Sequence, residues 1–215
     1  MHSARRASDL DAITIDAFGT LLVLDDPVPR LGEALRRCGI ERGSDRVRSA
    51  FRAEAAYYRP RSLCGRDGTS LEALREECAK VFLEHLAADI DPATFVPLFM
   101  DSISFHLAGG SEATLSALRD AGLTLACVAN WDVSLHDQLR RLNVANRFEV
   151  VLTSAEAAAE KPDPRIFLLA LDRLGVAPER ALHVGDEDVD RDGALAAGLA
   201  FEPAPLATRP KRLGL

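Results

Sequence analysis

The hydrophobic residues of this chain follow two different periods in two parts of the sequence. From about residue 120 onward, short apolar runs alternate with stretches in which apolar positions recur every three or four residues. The first spacing is typical of buried strands and the second of amphipathic helices. Repeated strand–helix units with apolar strands predict a parallel sheet that is covered by helices on both faces.

Five strands are predicted from these runs, and one of them lies near the start of the chain. Their ranges are 11–16, 123–130, 149–154, 181–186 and 199–202. The earliest run, which contains Ile13, Thr14 and Ile15, has the β-branched and aliphatic residues of a buried strand. We expect it to join the same sheet as the later four.

Helix-terminating residues mark three helices between the later strands. We predict that Asp132 is the N-cap of the first. In the second, Asp163 caps the helix, Pro164 takes its first position and Gly175 ends it. The third is short and ends at Gly198.

The region between the first strand and residue 109 shows helical periodicity throughout and no convincing strand pattern. Its amphipathic stretches are GEALRRCG, SDRVRSAFRAEAAYY, SLEALREECAKVFLEHLAADI and PATFVPLFMDSISFHL. We therefore predict an α/β protein with a Rossmann-like, doubly wound parallel sheet core at 10–21 and 109–215. An all-helical subdomain is inserted at 22–108, and residues 1–9 are expected to form a flexible tail.

Composition and charge restrict the class of protein. The chain has 215 residues, of which 47% are hydrophobic, and a formal net charge of −7. This charge argues against binding to nucleic acid or a membrane surface, and no apolar run is long enough to span a bilayer. The four cysteines lack metal-ligand spacing, and no signal-type apolar segment follows the N-terminal arginines. We expect a cytoplasmic monomer or homodimer with reduced thiols.

Polar side chains stand where the predicted strands end. Asp16, Asn130 and Asp186 each close a strand, and Lys161 follows the strand at 149–154. In open α/β sheets, ligands bind at the carboxyl ends of the strands. A carboxylate there can act as a nucleophile or ligate a hard cation, and a lysine can hold an anionic group. The acidic run at 186–190 offers the oxygen ligands that Mg²⁺ prefers.

Four ordered stretches resemble the motifs of the haloacid dehalogenase (HAD) superfamily of hydrolases. They are DAFGT at 16–20, VAN at 128–130, EKPDPRIF at 160–167 and HVGDEDVD at 183–190. The resemblance extends from about residue 11 to 202, and the helical insert matches the position of that family's cap domain. It implies a hydrolase for a small anionic molecule with Mg²⁺ as its cofactor.

The resemblance also implies roles for individual residues. Asp16 would be the nucleophile, and Lys161 would hold both it and the transferring group. Thr20 would buttress the turn after the first strand, and Thr20 and Asn130 would lie at the substrate.

The metal ligands implied by the resemblance come from two of these stretches. Asp16, the backbone carbonyl of Phe18 and Asp186 would ligate Mg²⁺. Asp190 would support the metal shell through water or through Lys161, although Asp188 and Asp192 compete with it in the same acidic run.

Two positions depart from the pattern of the family's phosphatases. Phe18 stands where those enzymes carry a second Asp, the general acid for the leaving group, a role worth about 10²–10⁴-fold in rate. Ala129 stands where they carry a Ser or Thr that donates to the substrate, and losing one such donor costs about 10²–10³-fold. We therefore predict phosphoryl hydrolysis that is weakened or redirected to good leaving groups, such as acyl or aryl phosphates.

Two other functions remain open from the sequence. A 2-haloacid dehalogenase needs no acid for a departing halide, and such enzymes resemble DAFGTL at their first motif, but they lack the GD of the acidic motif and need no Mg²⁺. The third alternative is a HAD-fold binding or regulatory protein with little turnover, since fold alone does not decide function.

Three further features have a structural and a functional interpretation. His183 is interpreted as a core histidine within an apolar strand. Trp131 either lines a pocket or covers the sheet edge. Tyr57, Tyr58, Arg59 and Arg61 form a basic-aromatic cluster that we expect either to face the crevice and influence substrate choice or to be an exposed inter-helix loop.

Overall fold

The computed structural model describes residues 7–215, and these divide into two compact units. We call the first the α/β unit; it consists of residues 7–23 and His106–Leu215. The second, the helical unit, is Leu24–Phe105.

Within residues 7–215, seven strands form two sheets. In chain order they are β1 Ala12–Ile15, β2 Leu22–Leu24, β3 Phe105–Leu107, β4 Thr124–Ala129, β5 Val150–Thr153, β6 Ala181–Gly185 and β7 Ala200–Pro203. Five of them form a parallel sheet in the order β5-β4-β1-β6-β7. Strands β1 and β6 are buried along their whole length, as expected of strands covered on both faces. The predicted α/β fold with a parallel sheet, joined by the early strand, is confirmed.

The described part of the chain also contains ten α-helices. They are α1 Val28–Arg37, α2 Ser44–Tyr58, α3 Gly68–His85, α4 Pro92–Asp101, α5 Ser111–Asp120, α6 Leu135–Arg141, α7 Ser154–Ala157, α8 Arg165–Leu174, α9 Asp188–Ala196 and α10 Arg209–Leu213. The first four belong to the helical unit. Its core contains Phe82, Phe95 and Phe99, whose ring centroids lie 5.2–6.3 Å apart.

The expectation of no strand within 22–108 was wrong at both ends of that range. Strands β2 and β3 pair with each other in a small second sheet. Each has only three residues, which is too short for an alternating pattern to be recognised. The helical pattern predicted through FMDSISFHL stops at Asp101, where the Ser102 hydroxyl donates to the Leu98 carbonyl.

Two predicted helix starts are shifted. Asp132 is not the N-cap of α6, which begins at Leu135; its carboxylate accepts instead from the Ser134 backbone N–H at 2.7 Å in a turn. Asp163 accepts from the Arg165 N–H at 2.9 Å, so that Pro164 occupies the N-cap position of α8. The predicted end of that helix is confirmed: Gly175 has a φ of +69°, a left-handed conformation that glycine adopts without a Cβ penalty.

At the N-terminus, Ala7–Asp9 forms a short 3-10 helix, and the rest of the predicted tail lies outside the described residues. Among residues 7–215, none of the helices has the length and hydrophobicity needed to cross a bilayer. The same range contains all four cysteines and no disulfide.

Candidate active site

Asp16 follows the last residue of β1, in the middle of the sheet. Its backbone N–H donates to the Val184 carbonyl at 2.9 Å, which continues the pairing of β1 with β6 for one residue. The residue is only 7% exposed. A carboxylate buried at a strand end requires compensation, and the structure provides it through Lys161, whose Nζ lies 2.5 Å from Asp16 Oδ1.

Lys161 joins two buried carboxylates. Its Nζ donates to Asp16 Oδ1 and to Asp190 Oδ1, both at 2.5 Å, and the residue is 3% exposed. Its backbone is held by the side chain of Asn130: the Lys161 N–H donates to Asn130 Oδ1 at 2.7 Å, and Asn130 Nδ2 donates to the Lys161 carbonyl at 3.0 Å. Asn130 therefore positions the lysine, and the substrate contact expected of it stays a prediction.

The acidic run divides into members with different surroundings. Asp190, in the first turn of α9, is buried, and its Oδ2 accepts from the Glu187 backbone N–H at 3.0 Å. Asp188 is exposed and forms an ion pair with Arg191 at 2.7 Å. Asp192 is also exposed and pairs with Arg191 at 3.0 Å. Of the three aspartates that the sequence left in competition, Asp190 is the one that the fold brings to Lys161.

Asp186 and the turn after β1 approach each other closely. The Thr20 hydroxyl donates to Asp186 Oδ1 at 3.0 Å. Gly19 has a φ of +84°, and a Cβ built on it would lie 2.2 Å from Asp186 Oδ2. Glycine suits this position, because its positive φ strains other residues and an added Cβ would displace the Asp186 carboxylate. Thr20 buttresses this contact, and its predicted place at the substrate stays a prediction.

Three carboxylates converge at this edge of the sheet. Oxygen atoms of Asp16, Asp186 and Asp190 lie within 4.8 Å of one another, two of the residues being buried and Asp186 exposed. Hard oxygen donors of this kind fit Mg²⁺, which commonly binds one or two carboxylates and retains water. The residues present therefore suit the cation that the sequence predicts. The ligand role expected of the Phe18 carbonyl stays a prediction.

Burial and neighbouring charges shift the ionisation of this cluster. Burial raises the pKa of Asp16 to about 7; the Lys161 charge opposes this effect, whereas Asp190 and Asp186 add to it. Burial alone would lower the pKa of Lys161, but the charges of Asp16 and Asp190 outweigh it and raise that pKa. Burial would raise the pKa of Asp190, but the His183 hydrogen bond and the Lys161 charge hold it below its usual value.

The two positions that depart from the phosphatase pattern have different environments. Phe18 is 39% exposed. Ala129 is buried at the end of β4 and contributes only a methyl group. Beside it, the Ser154 hydroxyl accepts from the Trp131 N–H at 3.1 Å and donates to the Trp131 carbonyl at 3.2 Å. Trp131 is buried, and these two hydrogen bonds hold its backbone against Ser154, the residue that follows β5.

His183 has a contact that the sequence reasoning missed. Its buried position within β6 is confirmed. In addition, its Nε2 lies 3.2 Å from Asp190 Oδ1, and its Nδ1 lies 2.8 Å from the Thr14 hydroxyl. The alternation of side chains along the strands is the signal that could have revealed this contact. Thr14 stands two residues before Asp16, on the same face of the sheet, and His183 is the register partner of Thr14 in the neighbouring strand.

In the helical unit, the basic-aromatic cluster continues α2 as a 3-10 helix, Arg59–Cys64. The Arg61 guanidinium lies over the Tyr57 ring at 3.9 Å and donates to the Tyr57 carbonyl at 3.0 Å. This arrangement fixes the Arg61 side chain. The influence on substrate choice that we expect of this cluster stays a prediction.

Similarity to known proteins assigns the chain to a family. The model of the haloacid dehalogenase-like hydrolases matches residues 10–198. Haloacid dehalogenase-like hydrolase domain-containing protein 3 of Mus musculus is 35% identical over 160 residues, which are 71% of this chain and 62% of that protein. Phosphoserine phosphatase of Thermus thermophilus is 34% identical over an alignment covering 93% of this chain and 90% of that enzyme.

A solved structure agrees with these sequence matches. The crystal structure of a HAD phosphatase from Thermococcus onnurineus superimposes with a TM-score of 0.62 and 25% identity, covering 95% of this chain and 98% of that one. Because the family model extends over most of the chain and its ordered motifs converge at one sheet edge, this chain belongs to the haloacid dehalogenase-like hydrolases.

Proposed function

We propose that this protein is a Mg²⁺-dependent phosphohydrolase that acts through an aspartyl-phosphate intermediate on Asp16. The observation that carries the proposal is the Lys161 ammonium, which contacts Asp16 and Asp190 at 2.5 Å in a buried site. It fixes the carboxylate at the strand end and offers a positive charge to an incoming phosphoryl group. Phosphatases among the relatives support the same chemistry.

Asp16 performs the first step. One carboxylate oxygen attacks the phosphorus in line, the bond from phosphorus to the leaving oxygen breaks, and the leaving group departs with the electron pair. Lys161 orients the nucleophile and holds an equatorial phosphoryl oxygen. In the second step, water attacks the phosphorus, the bond to Asp16 breaks, and inorganic phosphate is released.

The acidic residues would hold the cation. Asp16 and Asp186 would ligate it directly, with the Phe18 carbonyl as the expected third protein ligand. Asp190, whose oxygens already accept from Lys161, His183 and Glu187, would support it through water. When bound, Mg²⁺ neutralises charge shared by the nucleophile and the phosphoryl oxygens.

Phe18 determines the class of leaving group that we propose. A phenyl side chain donates no proton, so an alkoxide would depart without help from this position. Acyl and aryl phosphates release stable anions and need no acid. We therefore propose small acyl or aryl phosphates as the substrates that the protein hydrolyses fastest.

The composition of the chain and the chemistry of the site also indicate the substrate class and the cellular compartment. A net charge of −7 disfavours binding to a nucleic acid or a membrane surface, and the buried Lys161 ammonium offers a positive charge to a small phosphorylated molecule. We place the protein in the cytoplasm, where its four cysteines would be reduced. Its state as a monomer or homodimer stays a prediction.

Hydrolysis of p-nitrophenyl phosphate tests the proposal. Wild-type protein and Asp16→Asn are compared, each with Mg²⁺ and with a chelator. We expect turnover only in the wild type with Mg²⁺. Turnover that survives either the chelator or Asp16→Asn would contradict the mechanism.

The dehalogenase alternative is an outcome of the same experiment. Halide release from a 2-haloacid in the presence of chelator, without phosphate release from any ester, would favour it. Absence of both activities would leave the binding or regulatory function as the better explanation.

A further inference from the structure

His183 lies within a series of buried side-chain contacts that runs from Thr14, in β1, to Asp16, the residue after β1. The Thr14 hydroxyl contacts His183 Nδ1 at 2.8 Å, and His183 Nε2 contacts Asp190 Oδ1 at 3.2 Å. The same Asp190 oxygen accepts from Lys161, which in turn donates to Asp16. Thr14, His183, Lys161 and Asp190 are all buried.

The acceptors in this set determine which ring nitrogen carries the proton. Asp190 accepts from the Lys161 ammonium and is ionised, and a carboxylate can only accept. His183 Nε2 must therefore be the N–H that donates to it. In a neutral imidazole the other nitrogen then accepts, so the Thr14 hydroxyl donates to Nδ1.

The ring is neutral because of its surroundings. Burial lowers the pKa of His183 to about 4, and the nearby Lys161 charge acts in the same direction, against the stabilising contact with Asp190. Aromatic side chains also hold the ring: Phe167 packs edge-on at 4.8 Å between centroids, and Phe201 lies at 6.3 Å. The imidazole is thus fixed both in orientation and in tautomer.

We infer that His183 is a positioning residue, which acts through Asp190 to place the Lys161 ammonium against Asp16. This inference rests on the proposed function for its catalytic meaning, whereas the hydrogen-bond arrangement stands without it. The Asp190 Oδ1 atom receives two donors from different elements, one from β6 and one from the loop before α8. With both donors present, Asp190 cannot rotate away from Lys161 without losing a buried hydrogen bond.

The two carboxylate oxygens of Asp190 therefore have different hydrogen-bond donors. Its Oδ1 is directed by His183 and Lys161, while its Oδ2 accepts from the Glu187 N–H. Partners that orient a ligating or catalytic group in this way typically matter by about 10–100-fold in metal affinity or activity. We expect the loss of the His183 donor to fall in that range.

Nitrogen-15 NMR of the histidine ring, on the full chain without metal or substrate, tests the arrangement directly. We expect His183 to show a protonated Nε2 and an unprotonated Nδ1. A spectrum in which Nδ1 carries the proton and Nε2 does not would overturn the inference, because Nε2 could then not donate to Asp190. This measurement does not depend on any catalytic activity.

Two matched substitutions separate positioning from packing. His183→Gln retains an amide N–H near the position of Nε2, and His183→Asn retains a polar atom near Nδ1 only. We expect kcat for p-nitrophenyl phosphate within about 3-fold of wild type in the Gln variant and about 10–100-fold lower in the Asn variant. The same ranking is expected for Mg²⁺ affinity measured by calorimetry without substrate.

The outcomes distinguish this inference from the proposed function. If kcat fell equally in both variants, in step with a fall in their melting temperatures, His183 would have a purely structural role and the inference would be overturned. A wild type without phosphatase turnover would remove the proposed function, but the ring tautomer and the ranking of Mg²⁺ affinities would still decide the role of His183.

Discussion

The two units of this protein each bury a carboxyl group, and the two groups are accommodated in different ways. Asp16 of the α/β unit is 7% exposed and Glu54 of the helical unit is 6% exposed. Burial raises the pKa of each to about 7. Around Asp16, however, stand the Lys161 ammonium and two more carboxylates. Glu54 instead receives a hydrogen bond from the Cys78 thiol, a weak donor.

This difference shows what distinguishes a candidate site from a buried acid in a core. Asp16 meets Lys161 across 145 positions of the sequence, and Lys161 meets Asp190 across 29. Such convergence brings an opposite charge to Asp16, and the Lys161 ammonium lowers a pKa that burial and the neighbouring carboxylates raise. Glu54 lacks a comparable cation among the groups that shift its pKa, and protonation is the way its charge is avoided.

The largest expected effect comes from removing the cation of the α/β unit. Lys161→Met leaves Asp16 and Asp190 buried without their ammonium partner. Breaking a buried pair in this way costs about 3–5 kcal/mol in the free energy of unfolding. Urea denaturation measures it, and aryl phosphate hydrolysis should be abolished.

The matched control for this change is Lys80→Met in the helical unit. Lys80 is half exposed and lies 4.0 Å from Glu77, and surface pairs of this kind contribute about 0–1 kcal/mol. A loss in Lys161→Met no larger than in this control would show that the lysine does not hold the cluster together.

The second effect concerns Glu54 and depends on pH. Between its ordinary pKa of 4.5 and about 7 the folded protein retains a proton that the unfolded chain releases. Its contribution to stability is therefore fully present below pH 4.5 and is lost as the pH rises through about 7, by up to about 3 kcal/mol. Glu54→Gln should abolish this loss, so the variant gains stability relative to wild type at pH 8 compared with pH 5.

Urea denaturation at the two pH values checks this expectation, with Glu72→Gln as the control because that glutamate is exposed on α3. Aryl phosphate turnover should be unchanged in Glu54→Gln. If turnover fell as it does in Asp16→Asn, the contrast between the two buried acids would be wrong.

A third prediction adds an acid to the α/β unit. Phe18→Asp places a carboxyl group at an exposed position two residues after Asp16. We expect hydrolysis of alkyl phosphates to rise by about 10²-fold at most, since a well-positioned general acid contributes about 10²–10⁴-fold. Aryl phosphate hydrolysis should change little.

The ratio of alkyl to aryl turnover is the quantity to measure, and Phe18→Leu is its control for loss of the ring. An unchanged ratio in Phe18→Asp would mean that the missing acid does not limit the choice of leaving group.

The smallest expected effect tests the helical unit for a functional contribution. Arg61 stacks on Tyr57 at 3.9 Å, and exposed stacking of this kind contributes about 0.5–1 kcal/mol. If the cluster influences substrate choice, Arg61→Ala should raise KM for an aryl phosphate by about 2- to 5-fold, the loss of one exposed ionic contact to the substrate worth about 0.5–1 kcal/mol. Unchanged KM and kcat would remove Arg61 from substrate binding.

Particular elements show how far sequence reasoning extends. The strand that ends at Asp16 and the helix that ends at Gly175 were predicted because apolar periodicity and glycine conformational freedom act locally. Strands β2 and β3 were missed because three residues carry too little pattern, and their formation depends on pairing across about 80 positions. The start of α6 was misplaced because Asp132 caps a turn instead.

The sequence by itself determined the parallel α/β core, the helical insert and the kinds of groups at the strand ends: Asp16, Lys161 and Asp186. Only the tertiary structure decided that Asp190, not Asp188, reaches Lys161, that Asn130 holds the lysine backbone, and that His183 directs Asp190. The physical reason is the separation along the sequence of the residues that interact. Periodicity and capping depend on neighbours within a few residues, whereas hydrogen bonds between distant side chains depend on strand register and on the path of each loop.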